Sequence, residues 1–222
     1  MVEVTASRPA AEKQKQQDIV TVTLPPVQNR RSYLLAKRIF DVFFSLVGLL
    51  VLAIPMAVIA LMVVIDSPGD PIFRQERLGL NGKPFLIYKF RTMRLDAEKD
   101  GPTWAEKEDK RCTRFGAFLR RTRLDELPQL WNILKGDMSF VGPRPERRYF
   151  YEQFETYIVG FSNRLVVLPG LTGYAQVNGG YELKPEEKIV YDMVYIEHRS
   201  VLLDLKCLLK TFCVIFSGKG AR

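Results

Sequence analysis

Two adjacent carboxylates follow a run of arginines in the middle of the chain, within the stretch RRTRLDELPQLWN. The carboxylates belong to Asp125 and Glu126, and one of the arginines, Arg120, lies five residues before the first of them. A carboxylate can act as a nucleophile or bind Mg²⁺, and an arginine binds phosphate oxygens through its planar fork. The Asp125–Glu126 dyad is therefore a candidate for chemistry on a phosphorylated substrate.

The dyad also fits a purely structural role. Asp125 is placed to cap a helix predicted over residues 126–135, with Pro128 in the first turn, where its missing N–H is not needed, and Gly136 at the end. The catalytic interpretation uses the same geometry, because a helix N-terminus offers N–H donors to phosphate. Spacing alone supports the two interpretations equally. In the catalytic one, the neighbouring arginines are expected to lower the pKa of Asp125.

Basic residues lie on both sides of the dyad. Pro143-Arg144-Pro145 restricts the backbone around one arginine, which presents a rigid guanidinium to phosphate, although on its own it would be a simple proline-rich turn. The segment before the dyad has arginines interleaved with apolar residues and no acid, which suits phosphates at a membrane surface and a solvated helix face equally. These arginines are Arg111, Arg114, Arg120, Arg121 and Arg123.

The composition limits the classes of function. An excess of 33 basic over 25 acidic residues gives a net charge of +8, which favours an anionic partner. The single histidine, His198, excludes a mechanism with two imidazoles, and three cysteines without a C-x-x-C motif give little support to a disulfide framework or a zinc ribbon. The basic residues form no recognition helix or RNA-binding signature, so no nucleic-acid partner is expected.

A long uncharged segment predicts insertion into a lipid bilayer. The 24 residues 42–65 carry no charge, and as a helix they would extend about 36 Å, enough for a bilayer core of about 30 Å. A buried core helix is the alternative, but such helices are rarely apolar on every face. Pro55 interrupts the segment and basic residues flank both ends, which favours a re-entrant hairpin, because positive residues mark the cytoplasmic side. A kinked spanning helix is the competing interpretation.

The pattern along the chain predicts three parts. Residues 1–30 are polar and are expected to form a mobile tail, and residues 31–66 form the membrane-embedded re-entrant hairpin. Residues 67–222 are expected to form the domain at the cytoplasmic face that carries the candidate catalytic residues and ends in an amphipathic helix. The expected fold class is α+β, mainly helical, with the re-entrant membrane helix, a small β-hairpin and interfacial amphipathic helices.

Three elements of the last part are predicted from local pattern. Two short β-prone runs, 71–75 and 85–90, predict the hairpin. A proline followed by two acids predicts a helix over 185–199. The segment 201–216 keeps its charges away from a broad apolar face, so it is either a helix in the membrane interface or a helix packed on the soluble core.

Several segments together resemble the bacterial sugar transferases, the monotopic phosphoglycosyl transferases that start polyprenol-linked glycan synthesis. The resemblance is carried, in this order, by KRIFD before the apolar segment, YKFRTM, RLDELPQLWNILKGDMSFVGPRP and LPGLTGYAQVNG. It extends from about Lys37 to Phe216.

The resemblance implies a reaction and roles for single residues. In the family, a UDP-sugar gives its sugar 1-phosphate to undecaprenyl phosphate and UMP is released, which initiates lipid-linked polysaccharide or glycan synthesis. The family reaction passes through a phosphosugar bound covalently to the aspartate of the dyad, which corresponds to Asp125. The resemblance further implies that Glu126 binds the cofactor Mg²⁺, that Arg144 binds phosphate, and that Lys89 and Arg120 lie near the active site.

The resemblance also implies a location. The re-entrant helix is expected to break at Pro55, in the bacterial cytoplasmic (inner) membrane, with the catalytic domain on the cytoplasmic face. The UDP-sugar then arrives from the cytoplasm and undecaprenyl phosphate from the lipid bilayer. The sequence leaves open whether the chain forms a homo-oligomer. A hypothesis of another class is a non-catalytic membrane-surface adaptor of a glycan-assembly complex, whose basic residues bind anionic lipid or a partner.

Two positions depart from the family pattern. Leu168 stands where an arginine is common before Pro-Gly, and Gly180 stands where an arginine commonly follows VNG. Arg164 is the candidate to replace the first missing charge.

Overall fold

The long apolar segment forms two helices joined by a sharp bend. The structure, a computed structural model, describes residues 19–27, 30–97, 99, 109–179 and 183–217. Helix α1 (Arg31–Val51) is followed by Leu52, after which helix α2 (Ala53–Asp66) continues at 62° to it. Within these ranges no single helix is both long and apolar enough to cross a membrane, whereas α1 and α2 together have the length and composition to do so. Pro55 lies in the first turn of α2, where a proline fits, so the break precedes it at Leu52.

The other elements are short. The helices are α3 (Arg114–Thr122), α4 (Gln129–Lys135), α5 (Arg148–Glu155), α6 (Tyr174–Gly179), α7 (Pro185–His198) and α8 (Val201–Ser217). The strands are β1 (Val20–Thr21), β2 (Ile72–Leu78), β3 (Pro84–Phe90), β4 (Ser139–Val141), β5 (Ile158–Val159) and β6 (Gly170–Thr172). The described strands pair into three two-stranded sheets, so the fold mixes helix and strand as expected.

The predicted antiparallel hairpin is formed by β2 and β3. Ile72 lies opposite Phe90 and Leu78 opposite Pro84, so the first strand is longer than predicted. Side chains alternate between the two faces of β3. Phe90 is buried in an apolar cluster with α2, and Lys89 is directed to the other side, towards the dyad.

Two parallel strand pairs were not predicted. Strand β4 pairs with β6, and β1 pairs with β5, where Val20 lies opposite Ile158. The prediction of a mobile tail over residues 1–30 is therefore wrong for β1, which is held by hydrogen bonds to a segment far along the chain. Residues 1–18 and 28–29 of the predicted tail lie outside the described residues.

The main apolar core lies between α5, α7 and α8. It includes Phe150, Phe154, Phe161, Ile189 and Ile196. The predicted helix over 185–199 is confirmed as α7, which has its proline at the first position. A glutamate in its first turn accepts a hydrogen bond from the backbone N–H just before the helix, which satisfies one donor of this terminus.

Helix α8 was predicted either to lie in the membrane interface or to pack on the soluble core, and its two faces differ in this respect. One face packs against β4, β6 and α1, and Cys207 is buried there. The opposite face leaves large apolar side chains exposed: Val201, Leu202, Leu205, Leu209 and Phe212. The helix is therefore packed on the core and still presents an apolar face outward.

Polar residues in the first half of α1 connect it to the rest of the chain. Lys37 forms an ion pair with Asp204 of α8 at 2.7 Å. Arg38 donates hydrogen bonds of 2.8 Å to the carbonyls of Ile133 and Leu134 at the end of α4. Since only two residues separate the dyad from α4, these contacts help to fix the position of the dyad relative to the bent helix pair.

Candidate active site

The dyad lies in a 3₁₀ turn, Leu124–Glu126, between α3 and α4. Arg123 directly before it has a left-handed backbone, with φ 60° and ψ 16°, and this residue ends α3. Leu124 and Leu127 pack against the apolar cluster that contains Ile59 and Val63 of α2. Asp125 and Glu126 are buried, with 8% and 9% of their surface exposed.

Two predictions about this turn are wrong. The helix starts at Gln129 and not at Glu126, and no side chain caps it, so Asp125 is not an N-cap. The reason is the left-handed Arg123, which starts a separate turn before the helix. The predicted helix end is confirmed, because Gly136 has the left-handed conformation that closes many helices. The purely structural role of the dyad depended on an N-cap at Asp125, and the structure does not support this role.

Glu126 is held by two cations. Its Oε1 accepts a hydrogen bond of 2.9 Å from Lys89 Nζ and another from Arg144 Nη2. Burial alone would raise the pKa of Glu126, but Arg144 and Lys89 outweigh it and hold this pKa well below its usual range. The structure thus brings together three predicted site residues, from β3, from the 3₁₀ turn and from the Pro-Arg-Pro segment.

Asp125 differs from its neighbour. Its carboxylate accepts no hydrogen bond from any described residue. Burial raises its pKa to about 6, against the opposing effect of Lys89 and with the added effect of the Glu126 charge. Arg144 and Arg120 lower the pKa of Asp125 as expected, but the loss of hydration outweighs them, so the net shift is upward. Above this pH the aspartate is an ionised, unpaired carboxylate in a buried place.

A buried ion pair supports Arg144 from behind. Arg164 Nη2 donates a 3.0 Å hydrogen bond to the Arg144 carbonyl and lies 2.7 Å from Asp192 of α7. Both side chains of this pair are fully buried. From the sequence, Arg164 was predicted only to replace the positive charge that is missing at Leu168. No sequence motif indicated a role for Asp192.

Arg120 lies in the same region with other partners. Its Nη1 donates to Cys112 Sγ at 2.9 Å and lies 3.9 Å from Asp109 Oδ2. It lines the same cavity as the dyad and lowers the pKa of Asp125 without reversing the effect of burial. Its role in phosphate binding stays a prediction.

The dyad opens into a cavity of about 510 Å³. Acidic side chains in its lining are Asp125, Glu126 and Glu146. The basic ones are Arg77, Lys89, Arg91, Arg94, Arg111, Arg120, Arg123, Arg144, Arg147, Arg164 and Lys188. A cavity with such an excess of cations attracts anionic ligands, and its volume suits a small molecule.

Glu146 forms a second ion-paired centre in this cavity. It pairs with Arg77 and Lys188, each at 3.2 Å. Burial would raise its pKa, but Lys188 and Arg77 lower it to about 2. The sequence predicted no role in the site for these three residues, although Glu146 directly follows Pro145.

The two carboxylates of the dyad suit a magnesium ion. No group of three or more His, Cys, Asp or Glu side chains in the described part of the chain could hold a metal by itself. Mg²⁺, however, is usually bound by one or two carboxylates together with substrate phosphates. Glu126 uses only Oε1 for Lys89 and Arg144, so its other oxygen and the unpaired Asp125 are the donors that fit.

Comparison with known proteins identifies the family. The sequence profile described as "Bacterial sugar transferase" matches residues 32–218. The chain belongs to the bacterial sugar transferase family. The match includes the two bent helices, the dyad and helix α8. It also includes Gly180, one of the two positions that depart from the family pattern, and this residue lies outside the described residues.

Named relatives of this sugar transferase family member differ in the sugar. A Bacillus subtilis (strain 168) protein, provisionally named an undecaprenyl-phosphate N-acetylgalactosaminyl 1-phosphate transferase, is 56% identical over 134 residues, 60% of this chain and 74% of that protein. A UDP-N-acetylgalactosamine-undecaprenyl-phosphate N-acetylgalactosaminephosphotransferase of Aeromonas hydrophila is 40% identical over 86% of this chain and 46% of its own length. The UDP-glucose:undecaprenyl-phosphate glucose-1-phosphate transferase of Escherichia coli (strain K12) is 42% identical over 84% and 41%. The chain therefore spans less than half the length of the last two.

Proposed function

We propose that this chain transfers the sugar 1-phosphate of a UDP-sugar to undecaprenyl phosphate, releases UMP, and so initiates a lipid-linked polysaccharide or glycan. Membership of the family and the names of its relatives support the class of reaction. The observation that carries the proposal is the contrast within the dyad. Glu126 is held by Lys89 and Arg144, while Asp125 stays buried, unpaired and open to a cationic cavity.

In the first step, Asp125 acts as the nucleophile. One of its carboxylate oxygens attacks the phosphorus that carries the sugar and forms a new P–O bond. The bond from this phosphorus to the bridging oxygen breaks, and UMP leaves with that oxygen. Arg144 and the other cavity cations neutralise the charge on the phosphates, which would otherwise repel an anionic nucleophile. Mg²⁺ bound by the dyad would supply further positive charge to the diphosphate.

In the second step, the lipid acceptor regenerates the enzyme. A phosphate oxygen of undecaprenyl phosphate attacks the same phosphorus, and the P–O bond to Asp125 breaks. The carboxylate is restored and the product is a diphosphate that links lipid and sugar. The covalent intermediate allows a water-soluble donor and a membrane-bound acceptor to use one site in turn.

The bent helix pair supports a location at the membrane. We place α1 and α2 in the bacterial cytoplasmic membrane as a re-entrant hairpin, with the catalytic domain on the cytoplasmic face. Large apolar side chains on both helices are exposed, among them Leu50, Val51 and Ile54 at the bend. The outward apolar face of α8 suits the membrane interface.

The proposal is tested by measuring UMP release from a panel of UDP-sugars, with undecaprenyl phosphate and Mg²⁺. We expect release with at least one sugar, and loss of at least about a thousandfold in kcat for Asp125→Asn, because an amide cannot replace the nucleophile. The matched control is Asp70→Asn, which changes an exposed acid outside the cavity and is expected to keep wild-type turnover.

Two outcomes would contradict the proposal. Turnover by Asp125→Asn at the wild-type rate would remove Asp125 as nucleophile. Absence of UMP with every nucleotide-sugar, while the protein still binds anionic lipid, would favour the non-catalytic adaptor.

A further inference from the structure

The side chain of Asn132 joins helix α4 to strand β3. Asn132 is fully buried. Its Oδ1 accepts a hydrogen bond of 3.1 Å from the N–H of Tyr88, and its Nδ2 donates one of 2.7 Å to the carbonyl of Leu86. Nδ2 also donates to the carboxylate of Asp137 at 3.3 Å. Because two acceptors face Nδ2 and one donor faces Oδ1, the amide has a single defined orientation.

This amide takes the place of a neighbour that the strand lacks. Strand β3 pairs with β2 along one edge, and no other strand in the described part of the chain pairs with its second edge. Backbone N–H and C=O groups that are buried need partners. Asn132 binds a carbonyl and the N–H two residues further along this edge, as a residue of an adjacent strand would. It therefore fixes the register of β3 against α4.

The register of β3 decides where the ammonium group of Lys89 lies. Lys89 directly follows Tyr88, and its Nζ donates a hydrogen bond of 2.9 Å to Glu126 Oε1. Lys89 also interacts electrostatically with Asp125, so the two adjacent carboxylates compete for one cation. A shift of the strand by one residue would turn Lys89 to its other face. A smaller displacement towards Asp125 would occupy the carboxylate that has to attack.

The dyad and Asn132 are connected by helical backbone. Between the 3₁₀ turn of the dyad and the start of α4, Leu127 and Pro128 have φ angles of −54° and −62°, in the right-handed helical region. The spacing between Glu126 and Asn132 is therefore fixed by the backbone. Since Asn132 also binds the two residues of β3 next to Lys89, it sets the position of Lys89 relative to Glu126.

We infer that Asn132 positions Lys89 on Glu126 and so keeps Asp125 free to attack the donor. The inference rests on the proposed function. Asn132 is a positioning residue, because it is absent from the lining that the described residues give the cavity. It closes the stretch RRTRLDELPQLWN, so one short segment supplies both carboxylates and the side chain that directs their cation.

The test is a double-mutant cycle between Asn132 and Lys89, with the proteins in lipid nanodiscs and well below their melting temperatures. The rate of UMP release is measured in a single turnover without acceptor. Asn132→Leu and Lys89→Met are each expected to slow it about tenfold, because the charges around the reacting groups are misplaced. Because Asn132 acts through Lys89, the double variant should be no slower than the slower single variant. In steady state, Asn132→Leu should change kcat and the KM for the UDP-sugar in the same proportion as Lys89→Met.

A second variant covers the case that Asn132→Leu does not fold. Asp137→Ala removes only the partly exposed carboxylate that helps to orient the amide, and it leaves both contacts of Asn132 with β3 possible. We expect it to slow UMP release about threefold in the wild-type background and to have no effect in the Lys89→Met background.

The matched control is Asn163→Leu, made alone and together with Lys89→Met. The amide of Asn163 also joins distant segments, because its Nδ2 donates a hydrogen bond of 2.9 Å to the carbonyl of Val22. It does not contact β3, so we expect any effect of this variant on the rate to multiply with that of Lys89→Met.

Three results would overturn the inference. Multiplication of the two single effects in the double variant would show that Asn132 acts independently of Lys89. A lower kcat with an unchanged KM for the UDP-sugar, next to a changed KM in Lys89→Met, would assign Asn132 to stability alone. A failure of Asn163→Leu to multiply with Lys89→Met would reduce the coupling to general destabilisation. Failure of the proposed function is distinguishable, because the wild type would then release no UMP.

Discussion

At the scale of single residues, the dyad separates two roles between neighbouring acids. Successive residues of a 3₁₀ turn point about 120° apart, so Asp125 and Glu126 meet different surroundings. Glu126 faces Lys89 and Arg144, which keep it ionised. Asp125 is buried without a hydrogen bond, and burial raises its pKa to about 6. A nucleophile has to keep its carboxylate available, and Asp125, which accepts no hydrogen bond from any described residue, fulfils this condition better than Glu126, whose Oε1 is held by two cations.

Glu146 gives a prediction about stability and pH. Its pKa is lowered to about 2 in the folded protein, so its ion pairs stabilise the fold above the unfolded value of 4.5 and are lost as the pH falls towards 2. Glu146→Gln should therefore destabilise the protein by roughly 3 kcal/mol at neutral pH, and by progressively less at pH values between these two pKa values. The measurement is the melting temperature of both proteins in detergent from neutral to acidic pH. A difference that grows on acidification would contradict the sign of this effect.

The sequence predicts the residue types of the site better than their contacts. Asp125, Glu126, Lys89 and Arg144 are indeed brought together, because motifs with special backbone chemistry mark them. The capping role of Asp125 was wrong, since nothing in the local pattern shows that an arginine adopts a left-handed conformation. Asp192 was missed, because its partner Arg164 comes close only through tertiary packing.

At the scale of elements, helix α7 supports the dyad indirectly, through residues that lie behind Arg144. Asp192 of this helix holds Arg164, and Arg164 holds the carbonyl of Arg144. The prolines on either side of Arg144 restrict its backbone further. The guanidinium that contacts Glu126 is thus positioned by a chain of contacts that begins in α7.

This chain of contacts predicts that kcat can fall while the melting temperature stays near that of wild type. The double variant Arg164→Met/Asp192→Leu replaces the buried pair by apolar groups of similar size, which is often neutral for stability. We expect a melting temperature near that of wild type and a kcat lower by about tenfold or more, because Arg144 loses its support. Arg164→Lys keeps the pair with Asp192 but has only a single ammonium group for its partners, and we expect it to lose rate while it keeps stability. Wild-type kcat in the folded double variant would show that Arg164 only stabilises the core.

Elements with a strong local pattern were predicted, and those that depend on distant partners were not. The hairpin and α7 follow from strand propensity, turn residues and a proline start. The strands β1, β4, β5 and β6 have two or three residues each, too few for a periodic pattern. They exist because a segment elsewhere in the chain offers hydrogen bonds.

At the scale of the whole molecule, the bent helix pair and the catalytic part form one unit. Lys37 of α1 pairs with Asp204, and Arg38 binds the end of α4. Leu124 and Leu127 beside the dyad pack on the cluster of α2. If the helix pair lies in the membrane as proposed, these contacts fix the height of Asp125 relative to the bilayer surface.

The proposed re-entrant arrangement predicts that both ends of the helix pair face the cytoplasm. Single cysteines are introduced by Ser32→Cys and Asp70→Cys into a variant without Cys112, Cys207 and Cys213. A membrane-impermeant maleimide should label both positions in inside-out vesicles and neither in right-side-out vesicles, because basic residues flank both ends. Labelling of the two positions from opposite sides would show a spanning segment instead.

The covalent phosphosugar on Asp125 is the central claim, and intact-protein mass spectrometry tests it most directly. The wild-type protein is mixed with an accepted UDP-sugar and Mg²⁺ in the absence of undecaprenyl phosphate, quenched and weighed. We predict a mass increase of one sugar phosphate, located by fragmentation on Asp125, which disappears when the acceptor is added and never forms on Asp125→Asn. Wild-type enzyme that turns over with no such adduct, or an adduct on another residue, would contradict the account.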